Sequence, residues 1–225
     1  MNRFQAHWGE YLGDAVYGAL DGTVTTFAVM AGAAGAHLST PVIMIMGLAN
    51  LFADGFSMAV GNYLAQKSYN QFIDRELNDS LAQIKADDDQ ISHMISRSYR
   101  RQGFSGHTLR HILHDLRRHP KIYAQEALTA QKLATQPRHP VTSSLVTFIA
   151  FVLIGLMPIL PILLIPQLNF WSTFGFIALV LFLVGSLRSY ISLVTWYRGG
   201  LEIMLAGLGA SLIAFTIGSI LSQLV

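Results

Sequence analysis

The sequence predicts an all-α integral membrane protein with five transmembrane helices and a cytosolic helical insertion between the second and the third. Hydrophobic residues make up 52% of the 225 residues, charged residues make up only 12%, and the mean hydropathy is +0.43. Most of the charges lie in one central block, whereas a soluble domain would spread them along the chain. Five apolar stretches reach the roughly 20 residues that a helix needs to cross a bilayer.

Two of the five predicted spans precede the inserted domain, and three follow it. They cover approximately residues 14–37, 42–65, 143–166, 170–188 and 201–224. The chain therefore divides into three parts, which are an N-terminal segment with spans one and two, a cytosolic helical domain, and spans three to five. These parts are residues 1–65, 66–140 and 141–225. Prolines 158, 161 and 166 are expected to bend or end span three, because proline cannot donate the helical hydrogen bond.

The basic residues predict the orientation, because Lys and Arg in short loops stay on the cytosolic side. Arg3 precedes span one, twelve basic residues lie from Lys67 to Arg138, and Arg188 and Arg198 lie between spans four and five. All 15 share one side if the N-terminus is cytosolic and the C-terminus is outside. No nucleic-acid partner is expected, since basic and acidic residues are interleaved beside a lipid bilayer. The absence of cysteine excludes disulfides and thiolate metal sites.

Two carboxylic acids, Asp21 and Asp54, lie inside predicted spans. A charge in the bilayer costs at least about 2.5 kcal/mol, so it indicates a substrate or ion path. Asp21 belongs to a stripe of small and polar residues at steps of four and three, which suits close helix packing. Two copies of span one would place two Asp21 side chains beside a shared axis. The alternative is a glycine-rich packing seam whose acid only accepts hydrogen bonds.

Span two carries polar side chains at i+4 steps, namely Asn50, Asp54, Met58 and Asn62. An amide oxygen, a carboxylate and a thioether on one helix face could bind a partly dehydrated divalent cation. Carboxylates suit Mn(II), and a thioether adds affinity for Fe(II). The alternative for Met58 is an ordinary side chain that fills a gap in the packing.

Several segments carry a resemblance to a known family. They are Asp14–Thr23, Gly47–Ala59, Gly61–Ala65, Gly155–Pro161 and Arg198–Gly207. Their sequences resemble the vacuolar iron transporter family, which moves Fe(II) and Mn(II) out of the cytosol. The resemblance covers the whole chain except part of the central loop, and the first two segments are the most specific.

The resemblance implies a homodimer of five-helix protomers, with an ion path between the two copies of spans one and two and with proton antiport. The family's pore aspartate corresponds to Asp21 and its pore methionine to Met58, whereas its span-two glutamate falls on Asn50. An amide cannot carry a proton. Either Asp54, one turn along the same face, takes over proton coupling together with Asp21, or the coupling differs. The proton stoichiometry is left open.

The segment between Gln66 and Pro140 has apolar residues at helical spacing, which predicts a small helical domain. In the resembled family this domain is rich in glutamate and methionine and captures metal. Here it has only two glutamates, Glu76 and Glu126, so the family's metal-capture residues are not assigned to this chain.

Three histidines of the same segment share one helix face, at i, i+4 and i+7. They are His107, His111 and His114. Neutral imidazoles at this spacing could form a weak cytosolic metal site. Because several arginines surround them, a solvated basic face near anionic lipid headgroups is the favoured interpretation.

The predicted function is a secondary transporter that exports Fe(II), Mn(II) or both, with protons returning by the same path. The metal is cargo, and no cofactor is expected. No nucleophile elbow, phosphate loop, zinc-protease or dinucleotide motif is present, so an enzyme is not predicted. Two alternatives are a passive divalent-cation channel and a non-transporting anchor for a cytosolic interaction domain. A bacterial inner membrane is favoured over a vacuolar one, because no N-terminal extension precedes span one.

Overall fold

The computed structural model describes residues 9, 11–86, 88–133, 138–164, 170–189 and 194–224. These residues are helical, without a strand among them, which confirms the predicted all-α class. The helices are α1 (Leu12–Gly35), α2 (Thr40–Ala86), α3 (Asp88–Arg101), α4 (Gly106–Arg117), α5 (Pro120–Ala130), α6 (Pro140–Gly155), α7 (Leu160–Leu164), α8 (Phe170–Arg188) and α9 (Trp196–Leu221). Arg3, Pro166 and the predicted loop 167–169 lie outside the described residues.

Two helices of the described chain, α2 and α9, are long and apolar enough to cross a membrane by length and composition. Shorter apolar helices occupy Pro140–Gly155 and Phe174–Leu187. Helix α1 has the length of a span, but its glycines, alanines and threonines carry little apolar surface. The structure is thus that of a helical protein with membrane-type helices, and the count of five spans stays a prediction.

The third predicted span is interrupted near its C-terminal end. Helix α6 stops at Gly155, a turn follows, and the short helix α7 begins at Leu160. Pro158 lies in this turn, where no helical N–H is required of it. Pro161 occupies the first turn of α7, a position that proline tolerates. The predicted effect of the first two prolines on span three is therefore observed.

The chain forms two compact units. One comprises Met1–Leu64 together with Pro140–Val225, and the other comprises Ala65–His139. In the first unit α1 is the central helix, because it packs against α6, α8 and α9. Two buried apolar clusters hold this unit together. The first consists of Met30, Leu51, Phe151 and Ile159, and the second of Phe27, Ile177 and Leu181.

Glycines of α1 bring its backbone into direct contact with neighbouring helices. The Cα of Gly18 faces the carbonyl oxygen of Thr147 on α6, and that of Gly22 faces the carbonyl oxygen of Phe151. At the other end of α1, Gly35 approaches α9 in the same way. The small-residue seam predicted for span one is present, and its glycines are used for packing within a single chain.

The second unit is a bundle of α3, α4 and α5 around its own core. That core consists of Ile91, Ile95, Tyr123 and Ala127. At its edge Arg117 of α4 pairs with Asp88 of α3 at 2.6 Å and donates a hydrogen bond of 2.9 Å to Ser92. Burial, and secondarily the nearby Asp88 carboxylate, raise the pKa of the Tyr123 phenol. These contacts cross-link the N-terminus of α3 to α4 and α5.

Substituting Gly22 tests the close contact between α1 and α6. A Cβ at this position would lie 2.5 Å from the carbonyl oxygen of Phe151. Because backbone atoms cannot yield locally, we expect Gly22→Ala to cost about 1–3 kcal/mol of stability, measured by thermal unfolding in detergent. Gly61→Ala is the control, since nothing lies within 4 Å of its added Cβ, and we expect it to be neutral or stabilising. Equal melting temperatures for the two variants would contradict the packing.

Candidate functional site

Helices α1 and α2 form an antiparallel hairpin. The turn between them is closed by a backbone hydrogen bond of 3.1 Å from Leu38 to Ala33, and His37 adopts a left-handed φ of 57°. Two contacts set the register of the pair. The Asn62 side chain of α2 donates to Asp14 of α1 at 3.2 Å, and at the other end Gly47 of α2 lies beside the Met30 side chain.

This register brings Asp21 and Asp54 to the same height. Starting from the contact between Asp14 and Asn62, Asp21 lies seven residues along α1 and Asp54 lies eight residues back along α2. At about 1.5 Å per residue, the two positions differ by little more than one residue rise. The two carboxylates are close enough for their charges to interact. The structure therefore brings together the two acids that the sequence singled out.

Both carboxylates are half-buried, and neither has a hydrogen-bond donor among the described residues. The nearby hydroxyl of Thr25 donates instead to the backbone carbonyl of Asp21, at 2.8 Å. One turn before Asp21, the Tyr17 side chain is 62% exposed, so this face of α1 is not covered by the described helices of the same chain. Half-buried carboxylates without donors are available to bind a cation or a proton.

A second polar level lies next to the carboxylate pair. Asn50 of α2 is one turn from Asp54, and Thr26 of α1 is five residues from Asp21 in the opposite chain direction. In the described part of the molecule, Asn50 Nδ2 and Thr26 Oγ1 are both buried without a hydrogen-bond partner. A buried polar atom without a partner costs about 1–3 kcal/mol, so each of these atoms calls for an explanation.

Met58 is one turn beyond Asp54 on α2, as the sequence predicts. Its side chain is half-buried and packs against the cluster of Met30, Leu51, Phe151 and Ile159. These contacts are typical of a methionine that fills space between helices. A role for the thioether as a metal ligand stays a prediction.

Sequence reasoning missed a hydrogen-bond network at one end of the site. Ser143 of α6 donates to Asp14 Oδ2 at 2.7 Å, while Asn62 donates to Asp14 Oδ1 and, at 2.7 Å, to Thr147 Oγ1. Thr147 in turn donates to the Ser143 carbonyl oxygen at 3.0 Å. The network joins α1, α2 and α6. The sequence feature that could have predicted this network is the pair of hydroxyl side chains at i and i+4 on the otherwise apolar helix α6.

The three histidines of the second unit lie on an exposed face of α4. The ring centroids of His107 and His111 are 4.5 Å apart, and His114 Nδ1 is 3.5 Å from the adjacent Asp115 carboxylate. Within the described ranges, no group of three or more His, Cys, Asp or Glu side chains is arranged to hold a metal ion. The weak metal site at His107, His111 and His114 stays a prediction.

Comparisons with known proteins give a consistent result. A model of the VIT family matches residues 12–219. The chain is 31% identical to "Vacuolar iron transporter" of Centaurea cyanus over 74% of this chain and 70% of the relative. It is 28% identical to "Vacuolar iron transporter 1" of Eucalyptus grandis over 94% of this chain and 87% of the relative. It is 29% identical to "Vacuolar iron transporter 1" of Arabidopsis thaliana over 71% and 64%, respectively.

These comparisons confirm two predictions. The resemblance noticed in the sequence segments is a true family relationship, since the matched region spans all but the ends of the chain. The relatives are named as transporters, which confirms that the chain is not an enzyme.

The network around Asp14 can be tested with two neighbouring serines of α6. Ser143 is buried and donates to the Asp14 carboxylate, whereas Ser144 donates only to the Val141 carbonyl of its own helix. We expect Ser143→Ala to lower stability by about 1–2 kcal/mol, because it leaves a half-buried carboxylate oxygen without its donor. Ser144→Ala should have little effect. Thermal unfolding of both variants in the same detergent gives the comparison, and similar values would argue against the network.

Proposed function

Since this chain belongs to the VIT family, we propose that it is a proton-coupled secondary transporter that exports Fe(II), Mn(II) or both from the cytosol. The observation that carries the proposal is the pair of half-buried carboxylates, Asp21 and Asp54, at one height of the α1–α2 hairpin and without hydrogen-bond donors among the described residues. The names of the relatives, vacuolar iron transporters, support iron as cargo.

The two carboxylates provide a physical basis for antiport. Two negative charges close together in a medium of low dielectric constant repel each other, and a proton bound to one carboxylate removes that repulsion. A divalent cation between Asp21 and Asp54 supplies the same compensation by its own charge. Metal binding therefore releases a proton, and proton binding from the opposite side releases the metal. A single site that binds the metal ion and the proton alternately can thus exchange them across the membrane.

Neighbouring side chains complete a ligand set for a first-row divalent ion. On the side of Asp54 towards Asn62 lies Met58, and on the other side lies Asn50, whose amide nitrogen has no hydrogen-bond partner among the described residues. A rotation of the Asn50 amide by half a turn presents its oxygen in place of the nitrogen. Carboxylate, amide and thioether ligands together suit Mn(II) and Fe(II). The metal passes Met58, the carboxylates and Asn50 in that order as it moves outward.

Asp14 serves this site as a positioning residue. Its carboxylate accepts hydrogen bonds from Asn62 of α2 and Ser143 of α6, so it fixes the register of the two helices that carry Asp21 and Asp54. A slip of one residue would shift the two acids relative to each other by about 1.5 Å along the helix axis.

The transporter is proposed to act as a homodimer in the lipid bilayer. The exposed Tyr17 and the half-buried Asp21 lie on a face of α1 that is open in the described protomer. A second copy on this face brings two Asp21 carboxylates towards a shared axis. The distribution of basic residues supports a cytosolic N-terminus and an external C-terminus. The assignment to a bacterial inner membrane rather than a vacuolar one stays a prediction.

Removing the Asp21 charge tests the transport site. We expect Asp21→Asn to reduce metal flux into proteoliposomes at least tenfold, because a neutral amide neither balances a divalent cation nor exchanges a proton. Flux of Fe(II) and Mn(II) is recorded together with internal pH. Asp79→Asn is the matched control, since Asp79 is an exposed partner of Arg75 in the second unit. Metal flux in Asp21→Asn equal to that of the unmutated protein refutes the proposal. If the unmutated protein moves metal without moving protons, it is a passive channel.

Moving one carboxylate along α2 tests proton coupling. We expect Asp54→Asn to lower proton counterflow per metal ion, because one of the two carboxylates is lost. The double variant Asp54→Asn with Asn50→Glu restores a carboxylate one turn away on the same face. It should recover much of the counterflow, while Asn50→Glu alone should retain metal transport. Unchanged proton-to-metal ratios in all three variants would show that Asp54 has no part in coupling.

A further inference from the structure

We infer that a basic groove in the second unit is a binding site for a phosphate-bearing anion. The groove has a volume of about 840 Å³ and lies between α3, Gln83 near the end of α2, and the C-terminal end of α5 with the residues that follow it. Its charged lining consists of Arg97, Arg101 and Lys132, and no carboxylate lines it in the described part of the chain. The inference concerns a site separate from the proposed transport path.

The two arginines are placed to act together. Arg97 and Arg101 are four residues apart on α3, so their guanidinium groups leave the helix on the same face. Neither has a salt bridge to an acidic side chain within the described ranges. By contrast, Asp88 of the same helix is paired with Arg117, and neither of these two residues lines the groove. Unneutralised cations on one face repel each other, and a bound anion removes that repulsion.

Lys132 supplies a third cation at a conformational cost. It adopts a left-handed φ of 63°, which glycine occupies more readily than lysine. Its N–H donates to the carbonyl of Thr129 at 2.9 Å, and Leu133 donates to Leu128 at 3.0 Å, so carbonyls of the last turn of α5 are satisfied. These bonds reduce the negative potential that a helix C-terminus would otherwise present to an anion.

The remaining lining favours phosphate chemistry. Ser98 offers a hydroxyl donor beside the cations, whereas the Thr129 hydroxyl donates to the Gln125 carbonyl at 3.0 Å. Ile91 and Met94 give the groove an apolar part. Guanidinium groups bind phosphate oxygens through paired hydrogen bonds, and a lysine adds a point charge. The volume admits a phosphate together with an attached organic group. Such a phosphate can belong to an anionic lipid headgroup or to a soluble compound.

The test uses the full-length protein in nanodiscs of neutral phosphatidylcholine. Inorganic pyrophosphate is titrated by calorimetry, and retention of phosphatidylglycerol against phosphatidylcholine is measured by native mass spectrometry after mixed-lipid reconstitution. Pyrophosphate binding supports a soluble phosphate, and selective phosphatidylglycerol retention supports a headgroup. Absence of both overturns the proposal.

Two sets of variants distinguish anion binding in the groove from a general effect of the positive charge of the unit. The groove variant carries Arg97→Gln, Arg101→Gln and Lys132→Gly, and the control carries Arg75→Gln, Lys85→Gln and Lys121→Gln, which are exposed residues of the same unit outside the groove. Both lose three positive charges. We expect about tenfold weaker binding in the groove variant and less than about twofold in the control. Equal weakening in both overturns the proposal.

The single variant Lys132→Gly distinguishes the loss of a ligand from a loss of folding stability. Because glycine accepts the left-handed backbone at position 132, the melting temperature should not fall. Binding should still weaken several-fold, since one cation of the groove is lost. Unchanged binding in this variant argues against Lys132 as a ligand and overturns the three-cation site.

Discussion

The close approach of α1 to its neighbours is the constraint on which the first unit depends. At Gly18, Gly22 and Gly35, backbone atoms of α6 and α9 occupy the space that a Cβ would require. In a bilayer, lipid chains compete equally well for apolar side chains, so helix association relies on close packing and on interhelical hydrogen bonds. Glycine permits both, because it exposes its backbone and admits a neighbouring helix. The position and rotation of α1, and hence of Asp21, follow from these contacts.

Polar contacts fix the axial register of α1, α2 and α6, which close packing alone does not define. The Asp14 carboxylate is shared between Asn62 of α2 and Ser143 of α6, so three helices are tied at one level. A carboxylate with two donors is a stable structural element, whereas Asp21 and Asp54 have no donors among the described residues. The same residue type therefore has two roles in one hairpin. The donors around each carboxylate, rather than its position in a span, distinguish the structural acid from the proposed functional ones.

The two units differ in how their charges are arranged. In the first unit the acids lie among apolar helices, where any charge requires compensation by a cation or a proton. In the second unit basic residues are exposed, and one group of them lines a groove without a carboxylate. The histidines of α4 lie on an exposed face, and a metal site there stays a prediction, since no group of three or more potential ligands is arranged to hold a metal ion within the described residues. Residue types suggest a chemistry, but the directions of the side chains decide it.

The sequence by itself determined the helical class and the family, since hydropathy, composition and local motifs are properties of neighbouring residues. It also predicted Asp21 and Asp54 as site residues. It also indicated the interruption of the third span, because proline cannot donate the hydrogen bond that a helix interior requires. Only the tertiary structure decided that the glycines of α1 pack within one chain, that Ser143 reaches Asp14, and that Asp21 and Asp54 share one height. These relations join residues up to 129 positions apart, and the relative rotation of two helices is set by packing, which no local pattern encodes.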